Sequence, residues 1–155
     1  MNTPMLTTGS GNTATNCKGL LSMKHKEILL INMDDLTSRP DPTPEIIEQA
    51  KAALDAHHRE ALVLVNKVSV SQNMHVATSI FKHADRIVDA WGSGDKDSLK
   101  SAIALARKDF PSNVAIGANA MACCSSGFGN WAIGPDALAD RATTDSLFCI
   151  TSANQ

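Results

Sequence analysis

Apolar residues follow a helical spacing through the middle of the chain. The 47 residues from Glu45 to Trp91 contain no Gly or Pro, although alternating helices and strands usually carry these residues at their connections. Within this stretch the apolar positions recur at spacings of three and four, which places them on one helical face. The first set, with one histidine, is Ile47, Ala50, Leu54, His57, Ala61, Leu64 and Val68, and the second, in a shifted phase, is Ala77, Ile80, Ala84, Ile87 and Trp91.

Residues that favour helix ends lie at the expected boundaries. Residues 43–45 (Thr-Pro-Glu) supply an N-cap hydroxyl, a first-turn proline and a carboxylate, so we expect a helix to begin at about Pro44. The polar residues 71–73 are the place for a bend or a hairpin turn. Residues 92–94 (Gly-Ser-Gly) end the second helix, and Asp95 can cap a third one that stops before Pro111.

Two short apolar segments are ambiguous between helix and strand. Residues 27–33 are too few for periodicity to decide. Residues 61–70 contain four valines, and apolar and polar residues alternate at the end of the segment, which favours a strand. Residues 57–60, however, offer no Gly to stop a helix before it. We therefore predict a mainly α fold, either a small helical bundle or a helical hairpin with extra helices. The alternative is an α/β fold with a short βαβ unit at 27–70.

The terminal regions carry less pattern. Residues 1–22 are rich in Thr, Asn, Gly and Ser and are predicted to be a flexible N-terminal tail. Residues 23–150 suffice for a single globular domain, and residues 151–155 are predicted to be a loose C-terminus. Within the domain, residues 125–130 are typical of a loop, and residues 134–142 could form one more short helix. No internal repeat with a period of about 20 to 50 residues is present.

Composition and charge exclude several classes of partner. Fourteen basic and sixteen acidic residues give a formal net charge of -2 without any run rich in Lys and Arg, so we expect no nucleic-acid partner. The longest apolar run, residues 61–65, is far too short for a membrane span. The four cysteines contain no Cys-x-x-Cys pair, which favours reduced thiols and a cytoplasmic protein.

Candidate catalytic and metal-binding residues are few. Cys123 and Cys124 precede a glycine-containing loop, where a thiolate could act as a nucleophile, but no partner base is identifiable. His57 is predicted to be packed and hydrogen-bonded on the helical stripe, whereas His75 and His83 are predicted to be exposed. No set of histidines or cysteines has the spacing of a metal site, and no dinucleotide-binding loop is present. We therefore expect no metal and no cofactor.

Residues 32–36 (Asn-Met-Asp-Asp-Leu) follow an apolar run and are similar in outline to the first motif of haloacid dehalogenase-type phosphatases. The predicted helix and the apolar run at 61–65 fit the same outline. That family's motif begins with a nucleophilic aspartate, and this position is Asn32 here, whose amide cannot form the acyl-phosphate intermediate. An enzyme on this outline would use Asp34, Asp35 or a cysteine instead.

A second resemblance covers residues 58–74. This segment looks like the central helix of the bacterial refractile-body structural proteins, the killing-trait family, whose members carry a His, an apolar pair, Asn-Ala-Val and a glutamine-rich stretch at similar spacing. Lys67 stands where the family has Ala, and only one Gln is present. The resemblance implies small helical subunits that polymerise into ribbons. The interface candidates that it implies are His58, Asn66, Val68 and Gln72.

Plentiful apolar helix faces and the lack of a catalytic constellation favour a non-catalytic helical structural or interaction protein. It would act through self-association, as a homo-oligomer, or through a protein partner. The alternative is a small α/β hydrolase-like enzyme that uses Asp34, Asp35 or a cysteine nucleophile. A partner-binding inhibitor or immunity-type module shares the same acidic, helical, cofactor-free profile and is a third hypothesis.

Overall fold

The computed structural model describes residues 26–64, 74–117, 119–121, 126–139 and 143–152. Over these residues the chain forms three α-helices and a four-stranded mixed sheet. The protein is therefore α/β, and the prediction of a mainly α bundle is wrong. The main reason is that the strands after the last helix are too short to show a strand period in the sequence.

The helices lie between the first strand and the other described strands along the chain. The helices are α1 (Pro44–Leu64), α2 (Met74–Ser93) and α3 (Lys96–Asp109), preceded by a single 3-10 turn at Leu36–Ser38. The strands are β1 (Glu27–Asn32), β2 (Val114–Ile116), β3 (Ser126–Phe128), β4 (Trp131–Ile133), β5 (Thr143–Asp145) and β6 (Leu147–Thr151). β1 thus precedes the helices, and the other described strands follow them.

Two helices begin where the sequence predicts. α1 begins at Pro44, and the hydroxyl of Thr43 accepts a hydrogen bond from the backbone N–H of Ile46 at 3.3 Å. α3 is capped by Asp95, whose carboxylate accepts from the backbone N–H of Asp97 at 3.0 Å. These side chains satisfy N–H groups that have no partner within the helix. Both predicted starts are confirmed.

The predicted helical stripes form most of the main core. The α2 stripe is buried from Ala77 to Trp91, and Ala50, Leu54 and His57 of the α1 stripe are buried as well. Most of these side chains pack with those of α3 against one face of the sheet. Burial of each large aliphatic or aromatic side chain stabilises the fold by about 1.5–3 kcal/mol. The helical periodicity therefore predicts this core correctly.

The four-stranded sheet has the strand order β1-β6-β4-β2. β6, β4 and β2 are parallel to one another, and β1 lies antiparallel to β6. The described residues do not contain the βαβ unit proposed for 27–70, because β1 pairs with the C-terminal strand and α1 continues as a helix through Leu64. Residues 65–73 lie outside the described part of the chain.

The strands after α3 wind in coils of 17 residues. Val114 of β2 pairs with Trp131 of β4, and Trp131 pairs with Phe148 of β6. The two residues of each pair are therefore 17 positions apart in the chain. β3 and β5 form a separate parallel pair with the same offset. Each complete coil thus contributes one strand to the main sheet and one to this two-stranded sheet. We call this region the roll.

The backbone of the roll repeats with the same period. Coil 1 comprises the described residues within 113–129, coil 2 those within 130–146, and coil 3 begins at 147–152. Left-handed φ angles, which most residues avoid, recur 17 positions apart in coils 1 and 2. The pairs are Gly117 and Gly134, Asn119 and Asp136, Met121 and Leu138, and Gly129 and Ser146. Two coils of different sequence therefore share one backbone conformation at these positions.

The main sheet lies between two apolar cores. Trp131 and Ile133 of β4 face the helices, whereas Ala132 between them belongs to a smaller cluster inside the roll. β6 alternates in the same way, with Cys149 facing the roll. Because both faces of β4 are covered, all three of its residues are buried, and the strand shows no alternation of apolar and polar residues.

The prediction of a short helix at 134–142 is wrong. The described part of this segment is a turn that begins after β4 and leads toward β5. The φ angles of Asp136 and Leu138 are +61° and +54°, values that a right-handed helix cannot contain. The loop predicted at 125–130 likewise includes β3.

The predicted end of the domain at 150 lies within β6, which continues to Thr151. Thr151 is 2% exposed, and its hydroxyl donates to the carbonyl oxygen of Pro135 at 2.8 Å. The tail predicted at 1–22 lies outside the described residues. Among the helices that the structure describes, none combines the length and the apolar character that crossing a membrane requires.

Candidate functional site

Asp34 lies just after β1 and forms an ion pair with α3. Its carboxylate accepts a hydrogen bond from Arg107 Nη1 at 2.8 Å, and Nη2 of the same guanidinium donates to the hydroxyl of Ser146 at 2.9 Å. The Ser146 hydroxyl and the Arg107 guanidinium hold the pKa of Asp34 below its usual value of 3.8. Asp34 is therefore an ionised carboxylate that helps to join β1, α3 and the end of coil 2.

Asp35 caps the 3-10 turn that follows β1. Its Oδ1 accepts a hydrogen bond from the backbone N–H of Thr37 at 3.2 Å. Asn32 fixes the preceding turn, because its Oδ1 accepts from the backbone N–H of Asp34 at 2.9 Å and from that of Asp35 at 3.2 Å. Side chains of this type commonly satisfy backbone groups in turns. Both aspartates of the enzyme hypothesis thus make structural contacts.

An open cleft of about 390 Å³ lies between the end of β1 and α3, next to these aspartates. Lys96 and Lys100, one turn apart on α3, line it together with Arg107. Three cations and two carboxylates give this cleft a mixed charge, which provides no strong preference for an anionic or a cationic ligand. Among the described residues, no group of three or more His, Cys, Asp or Glu could hold a metal ion.

His58 is the predicted interface residue that the structure describes, whereas Asn66, Val68 and Gln72 lie outside the described residues. The ring of His58 packs against Phe81 of α2, with ring centroids 5.1 Å apart. Its Nε2 is buried and has no hydrogen-bond partner among the described residues. His58 therefore takes part in the contact between α1 and α2.

Two further histidines are buried. His57 is 1% exposed, and its Nε2 lies 2.8 Å from the carbonyl oxygen of Thr151, so its predicted packed state is confirmed. His83 is 4% exposed, which contradicts the prediction of an exposed histidine. Its Nε2 lies 2.8 Å from Asp109 Oδ2, and its ring meets Trp131 edge to face at 6.1 Å. His83 is not part of the apolar stripe of α2. It is nevertheless buried, because α2 contacts α1, α3 and the sheet and is therefore covered on more than one face.

Cys149 is a buried thiol in β6. Its side chain lies in the interior of the roll, and its Sγ is 3.6 Å from Glu27 Oε2. A thiol in this position is not accessible to a substrate. The other three cysteines, which include both candidate nucleophiles, lie outside the described residues. They are Cys17, Cys123 and Cys124.

Coil 1 is the open end of the roll. One side of it stacks on coil 2, and no described strand lies beside its other side. Positions that are buried in coil 2 are more exposed in coil 1. Ala115 is exposed whereas Ala132 is fully buried, and Asn113 is exposed whereas Asn130 is fully buried. The interior of the roll is thus covered in coil 2 and uncovered in coil 1.

β1 covers the opposite end of the roll. It lies antiparallel on β6, and the backbone N–H of Ser152 donates to the carbonyl of Lys26 at 2.8 Å. The register shifts between Glu27 and Leu29, which indicates a bulge, and the charged residues Lys26 and Glu27 are exposed. Bulges and edge charges both discourage the addition of another strand. One end of the roll is therefore protected and the other is not.

The unprotected edge is formed by β2. The N–H of Val114 donates to Asn130, and the carbonyl of Ile116 accepts from Gly134, so both β2 residues direct backbone groups toward coil 2. Backbone groups alternate in direction along a strand, so the N–H and C=O of Ala115 point to the outer edge. No described strand pairs with them there.

Coil 1 carries no charge. Residues 111–135 contain no Asp, Glu, Lys, Arg or His. Phe128 of β3 is 64% exposed, more than any other large apolar side chain in the described part of the chain. Natural edge strands usually carry charges that prevent pairing. An uncharged edge together with an exposed apolar side chain is typical of an interaction surface.

The sequence contains a signal for the roll that the prediction missed. Residues 113–117 are Asn-Val-Ala-Ile-Gly, and residues 130–134 are Asn-Trp-Ala-Ile-Gly. Four of these five positions are identical, and the segments begin 17 residues apart. This period is below the range of about 20 to 50 residues in which repeats are usually sought. Two copies of five residues are nevertheless enough to reveal the stacked strands.

No protein-family model matches the chain, and neither a curated protein nor a solved structure is significantly similar to it. The resemblances to refractile-body proteins and to haloacid dehalogenase-type phosphatases therefore stay predictions. Function has to be argued from the geometry of the described surfaces, because a fold alone does not determine it.

Proposed function

We propose that this protein is a non-catalytic interaction module that binds an extended segment of a protein chain at the open edge of coil 1. The observation that carries the proposal is the exposure of Ala115, which occupies the position that is fully buried at Ala132. A strand added beside β2 would form hydrogen bonds with the backbone of Ala115 and would cover the interior of the roll. This is recognition by strand addition.

Coil 2 indicates how an added strand would be held. Asn113 Oδ1 accepts hydrogen bonds from the backbone nitrogen and from Nδ2 of Asn130, each at 3.0 Å. Asn130 Oδ1 in turn accepts from the backbone N–H of Leu147 at 3.0 Å. Each coil therefore binds the next through strand pairing and, at one corner, through an asparagine. A segment with the sequence Asn-x-Ala-Ile-Gly would offer coil 1 the same groups.

The enzyme hypothesis has less support from the described residues. Asp34 is paired with Arg107, Asp35 caps a turn, and Cys149 is buried. A nucleophile must reach the substrate with a lone pair that is free to attack; Cys149 is inaccessible, and the carboxylates of Asp34 and Asp35 are engaged in these contacts. We propose the cytoplasm as the compartment, where cysteine thiols stay reduced.

Fluorescence anisotropy with a labelled peptide of residues 129–135 tests the proposal. We expect the protein to bind this peptide and the Ala115→Pro variant to lose binding, because proline removes the outward N–H but leaves the pairing of β2 with β4 intact. Ala115→Val is the matched control, since it keeps the N–H and should still bind. Equal binding by the two variants, or no binding by the wild-type protein, would contradict the proposal.

A further inference from the structure

We infer that the chain bound at the open edge is a second copy of this protein, so that two β2 strands pair across a two-fold axis. The inference rests on the proposed function, since it names the partner of the same edge. Two copies that both use their outer edge are related by a two-fold axis, which makes the paired strands antiparallel. Such a contact is closed and produces a dimer.

Because this edge carries no charge, it can pair with the same edge of a second copy. In a two-fold contact the residues near the axis face their own copies, so a charged side chain there would meet a like charge. Residues 111–135 carry no acidic, basic or histidine side chain. The sequence from 136 to 146, by contrast, contains four charged residues. They are Asp136, Asp140, Arg141 and Asp145.

Within the chain, a strand with the sequence Asn-x-Ala-Ile-Gly already packs closely against a second one, in a parallel pair and through the inner edge of β2. Coil 2 stacks on coil 1 in register from Val114 to Ile116, and both coils carry Asn-x-Ala-Ile-Gly. The approach is close, because a Cβ atom at Gly117 would lie 2.6 Å from the carbonyl carbon of Gly134. In a second copy, β4 is enclosed between β2 and β6, so β2 is the strand with this sequence whose edge is open.

The other end of the sheet fits a second copy poorly. A head-to-tail arrangement would place β1 of one copy beside β2 of the next and would continue as a filament. The bulge in β1 and the exposed charges of Lys26 and Glu27 oppose this contact. The two-fold contact between β2 strands avoids β1 entirely. A dimer is therefore the expected assembly.

Ala115 lies at the centre of the expected contact. Because its N–H and C=O both point to the outer edge, Ala115 and its copy form a hydrogen-bonded pair with Cα atoms about 5.5 Å apart. The two side chains then lie on the same face of the joined sheet. A charge introduced at position 115 would face itself across the axis.

Sedimentation equilibrium of charge variants tests this geometry. We expect the wild-type protein to dimerise and both Ala115→Lys and Ala115→Glu to weaken dimerisation by about tenfold or more, because each places like charges opposite one another. An equimolar mixture of the two variants should associate again, since Lys then faces Glu. Leu105→Lys is the matched control, because this exposed residue lies on α3 and should leave the dimer unchanged.

The outcomes separate this inference from the proposed function. A wild-type chain that stays monomeric but binds the peptide of residues 129–135 would overturn the dimer and leave strand addition standing. A dimer that Ala115→Lys does not weaken, or a mixture of Lys and Glu variants that fails to associate, would also overturn the two-fold contact at β2. A monomer that does not bind the peptide would overturn both.

Discussion

Asn113 Oδ1 lies 3.0 Å from the backbone nitrogen of Asn130 and 3.0 Å from its side-chain nitrogen. Asn130 accepts in turn from the N–H of Leu147, so one corner of the roll is joined across three coils. Asn130 is fully buried, so water cannot take the place of its side chain. The stacking of the coils therefore depends on this side chain.

Asn130→Ala is expected to lower the free energy of unfolding by about 3 kcal/mol, because it removes these bonds and leaves the Leu147 N–H without its acceptor. Asn113→Ala should cost less, about 1 kcal/mol, since Asn113 is exposed and water can take its place. Urea unfolding of both variants provides the measurement. Equal costs would show that the coils do not stack as described.

Gly134 is required for the close approach of coil 3 and α1. Its φ is +113°, and a Cβ atom there would meet Thr151 Oγ1 and lie 2.7 Å from His57 Nε2. Gly134→Ala is therefore expected to destabilise the protein by about 3 kcal/mol or more through strain and overpacking together.

Gly94→Ala is the matched control for Gly134→Ala. Gly94 also has a positive φ, +78°, but no atom of the described residues beyond its neighbours in the chain lies within 4 Å of a Cβ atom there. Gly94→Ala should lower the free energy of unfolding by only about 1 kcal/mol, the cost of a positive φ for a residue with a side chain. Thermal and urea unfolding would show the difference, and similar losses for the two variants would argue against the packing at Gly134.

Asp34 should titrate below 3.8, and its pKa should rise toward that value in Ser146→Ala and in Arg107→Gln. A carboxyl group whose pKa is lowered by folding stabilises the folded state above its usual pKa, and this contribution disappears as the pH falls through the lowered pKa. The effect is small, about 0.5 kcal/mol or less, because the side chain is 65% exposed. Carbon-13 NMR of the carboxyl group gives the pKa directly, and unchanged values in both variants would disprove the assigned contacts.

Phe128→Ser is expected to leave folding stability within about 0.5 kcal/mol, since the side chain is mostly exposed. It should nevertheless weaken binding at the open end, because Phe128 lies in coil 1 beside the unpaired edge of the smaller sheet. Leu105→Ser removes a second exposed apolar side chain, on α3, and should affect neither property. Equal effects of the two substitutions on binding would show that Phe128 is not part of the binding surface at the open end.

The helices could be predicted because each is long enough to repeat its pattern several times. The stripe from Ala77 to Trp91 and the caps at Thr43 and Asp95 carry local signals that packing does not alter. The roll could not be predicted in this way. Its strands are three to five residues long, and β4 is buried on both faces, so Trp131-Ala132-Ile133 shows no alternation.

The candidate site was predicted only in part. Asp34 and Asp35 do border a cleft, but their hydrogen bonds come from Arg107 and from Thr37, which the sequence does not bring together in any visible motif. The exposure of Ala115 depends on which coil lacks a neighbour, which is a property of the whole sheet. The repeated Asn-x-Ala-Ile-Gly was the available signal for this region.

Hydrogen exchange at the Ala115 amide tests the open edge most directly, with the Ala132 amide as the internal reference. The measurement compares dilute protein alone with the same protein saturated by the peptide of residues 129–135. We predict that Ala132 is protected in both samples, and that Ala115 exchanges rapidly in the first and slowly in the second. Protection of Ala115 in the dilute protein alone, or rapid exchange in both samples, would contradict the account.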